Sequence, residues 1–179
     1  MKKKKEIPSE RNYIQVTNRR IRRLTEKYDS VKVGLYDGHR LANVDVIVNG
    51  SVVYPIISYN PLLPVAGVSD REYVFNRVCG RKNPCRKALF YEASLKAIGI
   101  TAKPIILLGK GSRIINMSDS LIIARTMDEI LCVLGQKENS DELKSRLMSI
   151  SDEDVKTMTN VKVRQLDKDL FDYAFGGNF

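Results

Sequence analysis

The sequence contains no tryptophan, a single histidine, three cysteines and no long run of apolar residues. Its most apolar stretch, Pro104 to Leu108, stops at Gly109 and is far shorter than the roughly 20 residues that a membrane-spanning helix needs. The small, odd number of cysteines does not fit a disulfide framework and favours a reducing compartment. The lysine-rich start has no apolar segment behind it, so we expect no signal peptide, no membrane partner and a cytoplasmic protein.

The shortage of histidine also narrows the possible chemistry. With His39 alone, a Ser-His or Cys-His nucleophile pair lacks its usual general base. A structural zinc site would need His39 to converge with Cys79, Cys85 and Cys132, and the spacing of the first two cysteines is wider than in ordinary zinc hooks. We therefore expect no resident cofactor on these grounds.

The chain has 179 residues, of which 43% are hydrophobic, and this suits one globular domain with extensions. We predict a disordered basic arm over residues 1–8 and an α/β domain over residues 9–135. A helical extension with a loose tail follows over residues 136–179.

Positive charge is concentrated near the start of the chain. The formal net charge is +9, and residues 1–27 alone contribute +7. Within this segment Ile14, Ile21, Leu24 and Tyr28 recur at helical spacing, which predicts an amphipathic helix. A basic helix attracts polyanions through phosphate contacts. The candidate nucleic-acid-binding residues on it are Arg11, Arg19, Arg20, Arg22 and Arg23.

A second basic cluster precedes and opens a predicted helix over residues 84–98. Asn83 and Pro84 are typical of a helix start, where free backbone N–H groups and the helix dipole favour an anion. No acidic residue interrupts the cluster, so we add its members to the candidate nucleic-acid-binding residues: Arg77, Arg81, Lys82, Arg86 and Lys87.

Alternating and β-branched runs predict the strands. Residues 31–36 alternate, and the pair Asn49-Gly50 between residues 44–48 and 51–59 is a strong hairpin signal. Pro55 must then sit at an edge, a bulge or a strand irregularity. A buried-type strand over residues 103–108 follows the helix over 84–98, and this crossover makes it parallel to the strand that it joins.

The last part of the chain contains sequence patterns that are typical of helix starts. Thr126 with Glu129 forms a capping-box pattern for a helix over residues 127–134, and a helix over residues 141–149 follows. Ser151 with Asp154 predicts a last helix that ends near Tyr173. The fold class is therefore α/β, or α+β on a strict definition: a mixed sheet with an antiparallel hairpin, flanked by helices.

The element order, the run Val44 to Val48, the hairpin ending at Tyr59-Asn60 and the helix opening at Asn83 to Ala88 resemble the nuclease-related domain family. So do the run Pro104 to Leu108 and the helix with Met127 to Leu131. This family is a branch of the restriction-endonuclease-like, PD-(D/E)xK superfamily. The likeness covers about residues 9–135 and implies that fold.

The resemblance implies an Asp at the hairpin and a Glu-x-Lys on its second strand, which together hold Mg²⁺. Asp45 matches the Asp and would be the metal ligand. The expected Glu-x-Lys is replaced by Ile56 to Asn60, without an ionisable carboxylate or amine. A migrated site could instead combine Asp45 with Asp70, Lys87 and Glu92 as catalytic residues.

These observations predict a protein with a restriction-endonuclease-like fold that binds DNA or RNA through basic surfaces without cleavage. Two alternatives stay open. One is a Mg²⁺-dependent endonuclease with the migrated site. The other is a protein-interaction or assembly component that docks a partner through its C-terminal helices.

Overall fold

The computed structural model describes residues 10–59, 84–108 and 122–162, with the side chains of the first helix described from Asn18 onward. These residues form an α+β fold with five helices and a five-stranded sheet. The elements are α1 (Glu10–Lys27), β1 (Asp29–Tyr36), β2 (Leu41–Asn49), β3 (Val52–Tyr59), α2 (Pro84–Ala97), β4 (Ile105–Leu108), β5 (Ile122–Ala124), α3 (Met127–Leu134), α4 (Asp141–Met148) and α5 (Asp152–Thr159).

The sheet is mixed, and its strands are arranged in chain order. β1, β2 and β3 are antiparallel neighbours, whereas β3, β4 and β5 run parallel. The predicted parallel pairing across the α2 crossover is therefore confirmed. Since β1 reverses twice before β3, it points the same way as the parallel strands. We call the edge at which β3, β4 and β5 end, at Tyr59, Leu108 and Ala124, the carboxyl edge.

Helices cover both faces of the sheet. On one face, Leu24 of α1 and Tyr28, which directly follows α1, pack with Ile130 and Leu134 of α3 against the sheet. On the other face α2 lies against the sheet, and Leu147 of α4 and Met158 of α5 belong to the same buried cluster. The C-terminal helices thus complete the core formed by α2 and the strands.

Local sequence patterns predicted most of these helices and strands correctly. Both predicted capping boxes are present, at Thr126 with Glu129 and at Ser151 with Asp154. Several boundaries differ from the prediction, since β2 begins at Leu41 instead of residue 44 and β4 begins at Ile105 instead of residue 103. β1 begins at Asp29 instead of residue 31. α5 ends at Thr159 instead of near Tyr173, and residues 160–162 are not helical.

The hairpin is present, but its turn is one residue later than predicted. Asn49 pairs with Val52, which leaves Gly50 and Ser51 as the two-residue loop. Gly50 has a φ of 58°, a conformation that suits glycine at the first loop position. Asn49 is therefore a strand residue whose side chain is available for other contacts.

Pro55 lies in the interior strand β3, at a strand irregularity. The Val53 N–H donates to the Thr101 carbonyl on the β4 side. Pro55, two residues later, faces the same side and has no N–H to donate there. Its pairing with Val46 of β2, on the other side of β3, is therefore kept. The β3–β4 ladder starts one residue later, at Ile56 with Ile105.

The buried Asn49 side chain joins the two layers of helices. Its Nδ2 donates to the carbonyls of Leu134 at 2.7 Å and Gln136 at 2.9 Å, and its Oδ1 accepts from the Glu138 N–H at 2.7 Å. The Tyr28 hydroxyl donates to the Gly135 carbonyl at 2.6 Å. The connection between α3 and α4, which passes from one face of the sheet to the other, is fixed by these bonds.

We expect Asn49→Ala to lower the free energy of unfolding by about 1–3 kcal/mol, because one buried and two partly buried backbone groups lose their partner. Urea denaturation measures this loss. Asn43→Ala is the matched control, since Asn43 is exposed on the same strand. An equal, small effect of both substitutions would show that the Asn49 bonds contribute little.

Candidate nucleic-acid interface

Helix α1 has an inward stripe that fixes its position on the sheet. Leu24 and Tyr28, one helical turn apart, are buried. Arg20, one turn before Leu24, continues the same stripe and is half-buried. Its Nη1 donates to the carbonyl of Leu108 at 2.8 Å. Because Leu108 is the last residue of β4, this bond attaches α1 to the carboxyl edge.

The opposite stripe of α1 is cationic and faces outward. Arg19, Arg22, Arg23 and Glu26 line a shallow groove together with Asn18. Arg22 is engaged by the Glu26 carboxylate at 2.9 Å. Arg19 and Arg23 are exposed and form no ion pair with any residue that the structure describes. These two guanidinium groups are therefore the ones most available to an anion.

Helix α2 brings further cations to the carboxyl edge, because Phe90 in its second turn contacts Tyr36 at the end of β1. Arg86 and Lys87 lie in its first turn and are half-buried. The Arg86 guanidinium lies over the Phe90 ring at 5.0 Å, and Phe90 packs edge-on against Tyr36 of β1. The Arg86 side chain is thereby held near the end of β1.

Two more arginines lie at this edge. Exposed Arg40 is in the turn that joins β1 to β2. Arg125 directly follows β5 and pairs with Glu129 at 3.3 Å. Among the described residues here, the Asp37 carboxylate is used in the turn itself, where it accepts from the N–H groups of residues 39 and 40. Cations from four separate parts of the chain therefore meet at the carboxyl edge.

The opposite edge of the sheet carries acidic side chains together with several cations. A groove there is lined by Glu138, Asp141 and Glu142 as well as Arg146. Asp29, at the start of β1, pairs with Lys137 at 3.2 Å and Lys144 at 3.5 Å. The hydrogen bond from Lys137 and the charges of both lysines hold the pKa of Asp29 below its usual range despite partial burial. The three carboxylates of the groove outnumber Arg146, so the groove itself disfavours a polyanion, while Lys137 and Lys144 add positive charge beside it.

Asp45 is bound by a partner that the sequence did not indicate. The Lys32 Nζ of the neighbouring strand β1 lies 2.8 Å from its Oδ1. Asp45 lies on the same face of β2 as Ile47, which packs in the cluster under α1 and α3. The β2–β3 pairing ends at Val46 with Pro55, and the next residue of β3, Ile56, is apolar and belongs to the same buried cluster as Ile47.

The structure does not bring Asp45 together with Glu92 or Lys87. Both belong to α2, which packs on the other face of the sheet through Ala88, Tyr91 and Leu95. Burial raises the pKa of Glu92, and the nearby Lys96 opposes that effect. With the sheet between them, Asp45 and Glu92 cannot bind one Mg²⁺ ion, whose oxygen ligands lie at about 2.1 Å.

The described residues also contain no group of His, Cys, Asp and Glu side chains that could hold a metal ion. Cys85 of α2 is buried, and its burial raises the pKa of the thiol. Cys132 is exposed on α3, which covers the other face of the sheet. These two cysteines therefore do not converge.

Several predicted site residues lie outside the described parts of the chain. They are Asp70, Arg77, Cys79, Arg81 and Lys82, and the side chain of Arg11 is also not described. Sequence reasoning missed Arg40 and Arg125. Their position at this edge depends on the order and direction of β1 and β5 in the sheet, which local patterns do not reveal.

Comparisons with known proteins add no family. No protein-family model, no curated protein and no solved structure matches the chain. Within the described residues, no helix combines the length and the apolar character needed to cross a membrane.

Proposed function

We propose that the protein binds DNA or RNA at the carboxyl edge of its sheet, through phosphate contacts and without cleavage. The hydrogen bond from Arg20 to the Leu108 carbonyl carries this proposal. It holds the cationic face of α1 at the edge where α2 begins. Cationic residues of α1 and α2, which are about 65 positions apart in the sequence, thus contribute to one basic surface.

Three features favour a nucleic acid as the polyanion. The surface is dominated by arginines, whose planar guanidinium groups match phosphate geometry. It extends over several elements on both sides of the sheet, which suits a repeating chain of phosphates better than a single small anion. The acidic side chains of the groove at the far edge, Glu138, Asp141 and Glu142, disfavour phosphates in that groove.

Binding without cleavage is supported by the surroundings of Asp45. This carboxylate is engaged by Lys32, and Glu92 and Lys87 lie across the sheet from it. The restriction-endonuclease-like fold remains part of the proposal. The helix, three strands, helix and strand at the start of the structure follow the order that the resemblance implies.

Fluorescence anisotropy with labelled DNA and RNA of about 20 nucleotides or base pairs tests the proposal. If three to five cations contact phosphates, log K should fall against log salt with a slope of about −3 to −5 for duplex DNA. Binding should be weakly dependent on base sequence.

Two results would favour the alternatives. An absence of binding to either nucleic acid at 50 mM salt, together with a stable oligomer in light scattering, would indicate an assembly component. Mg²⁺-stimulated degradation of a plasmid that Asp45→Asn abolishes would indicate a nuclease.

A further inference from the structure

The arginines of α1 differ in how they are placed, although they are adjacent in sequence. Arg19 and Arg23 are exposed, whereas Arg20 is half-buried on the stripe that contains Leu24 and Tyr28. Its guanidinium donates to a main-chain carbonyl that is 88 positions away in the sequence. Arg20 therefore has a specific partner in the fold, while its neighbours point toward solvent.

We propose that Arg20 is a positioning residue for nucleic-acid binding and that it does not itself contact phosphate. This inference rests on the proposed function. Among the side chains of α1 that the structure describes, Leu24 is fully buried against the sheet, and Ile21, next to Arg20, packs against the same cluster. The bond to Leu108 adds an attachment one turn before Leu24, next to the outward-facing Arg19.

The physical consequence is preorganisation. Without the Arg20 bond, the start of α1 gains freedom relative to the sheet, and binding must fix it again at an entropic cost. Arg19 and Arg23 would still reach phosphates in the complex. Affinity should therefore fall, while the number of counterions released on binding stays the same.

The experiment compares Arg20→Gln with Arg19→Gln on a labelled duplex DNA of about 20 base pairs over a series of salt concentrations. The two variants have the same change in charge and differ in which stripe of α1 is altered. Arg19→Gln should make the salt slope shallower by about 0.9, the value for one lost phosphate contact. Arg20→Gln should reduce affinity severalfold and leave the slope unchanged.

Arg20→Lys provides a rescue, since its ammonium group can still donate to the Leu108 carbonyl, although without the planar fork of arginine. We expect it to recover part of the affinity that Arg20→Gln loses. A slope that falls as much in Arg20→Gln as in Arg19→Gln would overturn the proposal, because Arg20 would then be a phosphate contact.

Hydrogen exchange of the free protein separates this proposal from the proposed function. Arg20→Gln should speed amide exchange in the first half of α1, and Arg19→Gln should not. Unchanged exchange in Arg20→Gln would refute the positioning role even if nucleic acid binds. If the wild type binds no nucleic acid, the proposed function fails, and with it any role of Arg20 in binding.

Discussion

Met158→Asp is expected to unfold the protein or to lower its free energy of unfolding by more than about 3 kcal/mol. Met158 has no exposed surface and packs in the cluster that contains α2 and the sheet. An unpaired carboxylate there would be both desolvated and poorly packed. A domain of ordinary stability has only about 5–15 kcal/mol to lose.

Met148→Asp is the matched control. Met148 lies at the end of α4 and is 72% exposed, so the same substitution should change stability by about 0.5 kcal/mol or less. Circular dichroism and urea titration measure both variants. If Met158→Asp were tolerated as well as Met148→Asp, the helices after residue 135 would be an appendage that the core does not need.

The double variant Arg19→Gln with Arg23→Gln should weaken binding to duplex DNA by about 50-fold at 0.1 M salt. Each lost phosphate contact removes about 0.9 from the salt slope, so two contacts remove about 1.8. These two arginines are the appropriate choice because Arg22 is already paired with Glu26. Anisotropy titrations at several salt concentrations give both the affinity and the slope.

Lys96→Gln with Lys103→Gln is the control for net charge. Both lysines are exposed, and both lie near the start of β4, away from the carboxyl edge. The charge change is identical, but we expect the salt slope to stay within experimental error of the wild type. Equal effects of the two double variants would mean that affinity depends on the net charge of the protein and not on the cations at the carboxyl edge.

The elements that could be predicted are those fixed by neighbours in the sequence. A capping box needs only Thr126 and a Glu three residues later, and both predicted bonds are present. The hairpin follows from Asn49 and Gly50 between β-branched runs. The burial of Leu24 and Tyr28 follows from the spacing of apolar residues in α1.

The contacts that could not be predicted join distant parts of the chain. The Lys32 partner of Asp45 depends on the register of β1 against β2. The opposite placement of Asp45 and Glu92 depends on which face α2 covers. Arg20 is the clearest example. Its spacing from Leu24 indicates a position on the inward stripe, but no local sequence feature identifies the Leu108 carbonyl as its acceptor.

The route of the chain around the sheet has a consequence for folding during synthesis. β5, the last strand that the structure describes, ends at Ala124. The buried cluster between α2 and the sheet is incomplete until Leu147 and Met158 have been synthesised. A nascent chain therefore carries a finished sheet with one apolar side incompletely covered while the ribosome adds the final helices. During that interval we expect the part of this face that α4 and α5 later cover, next to β1 and α2, to be the apolar surface open to a chaperone.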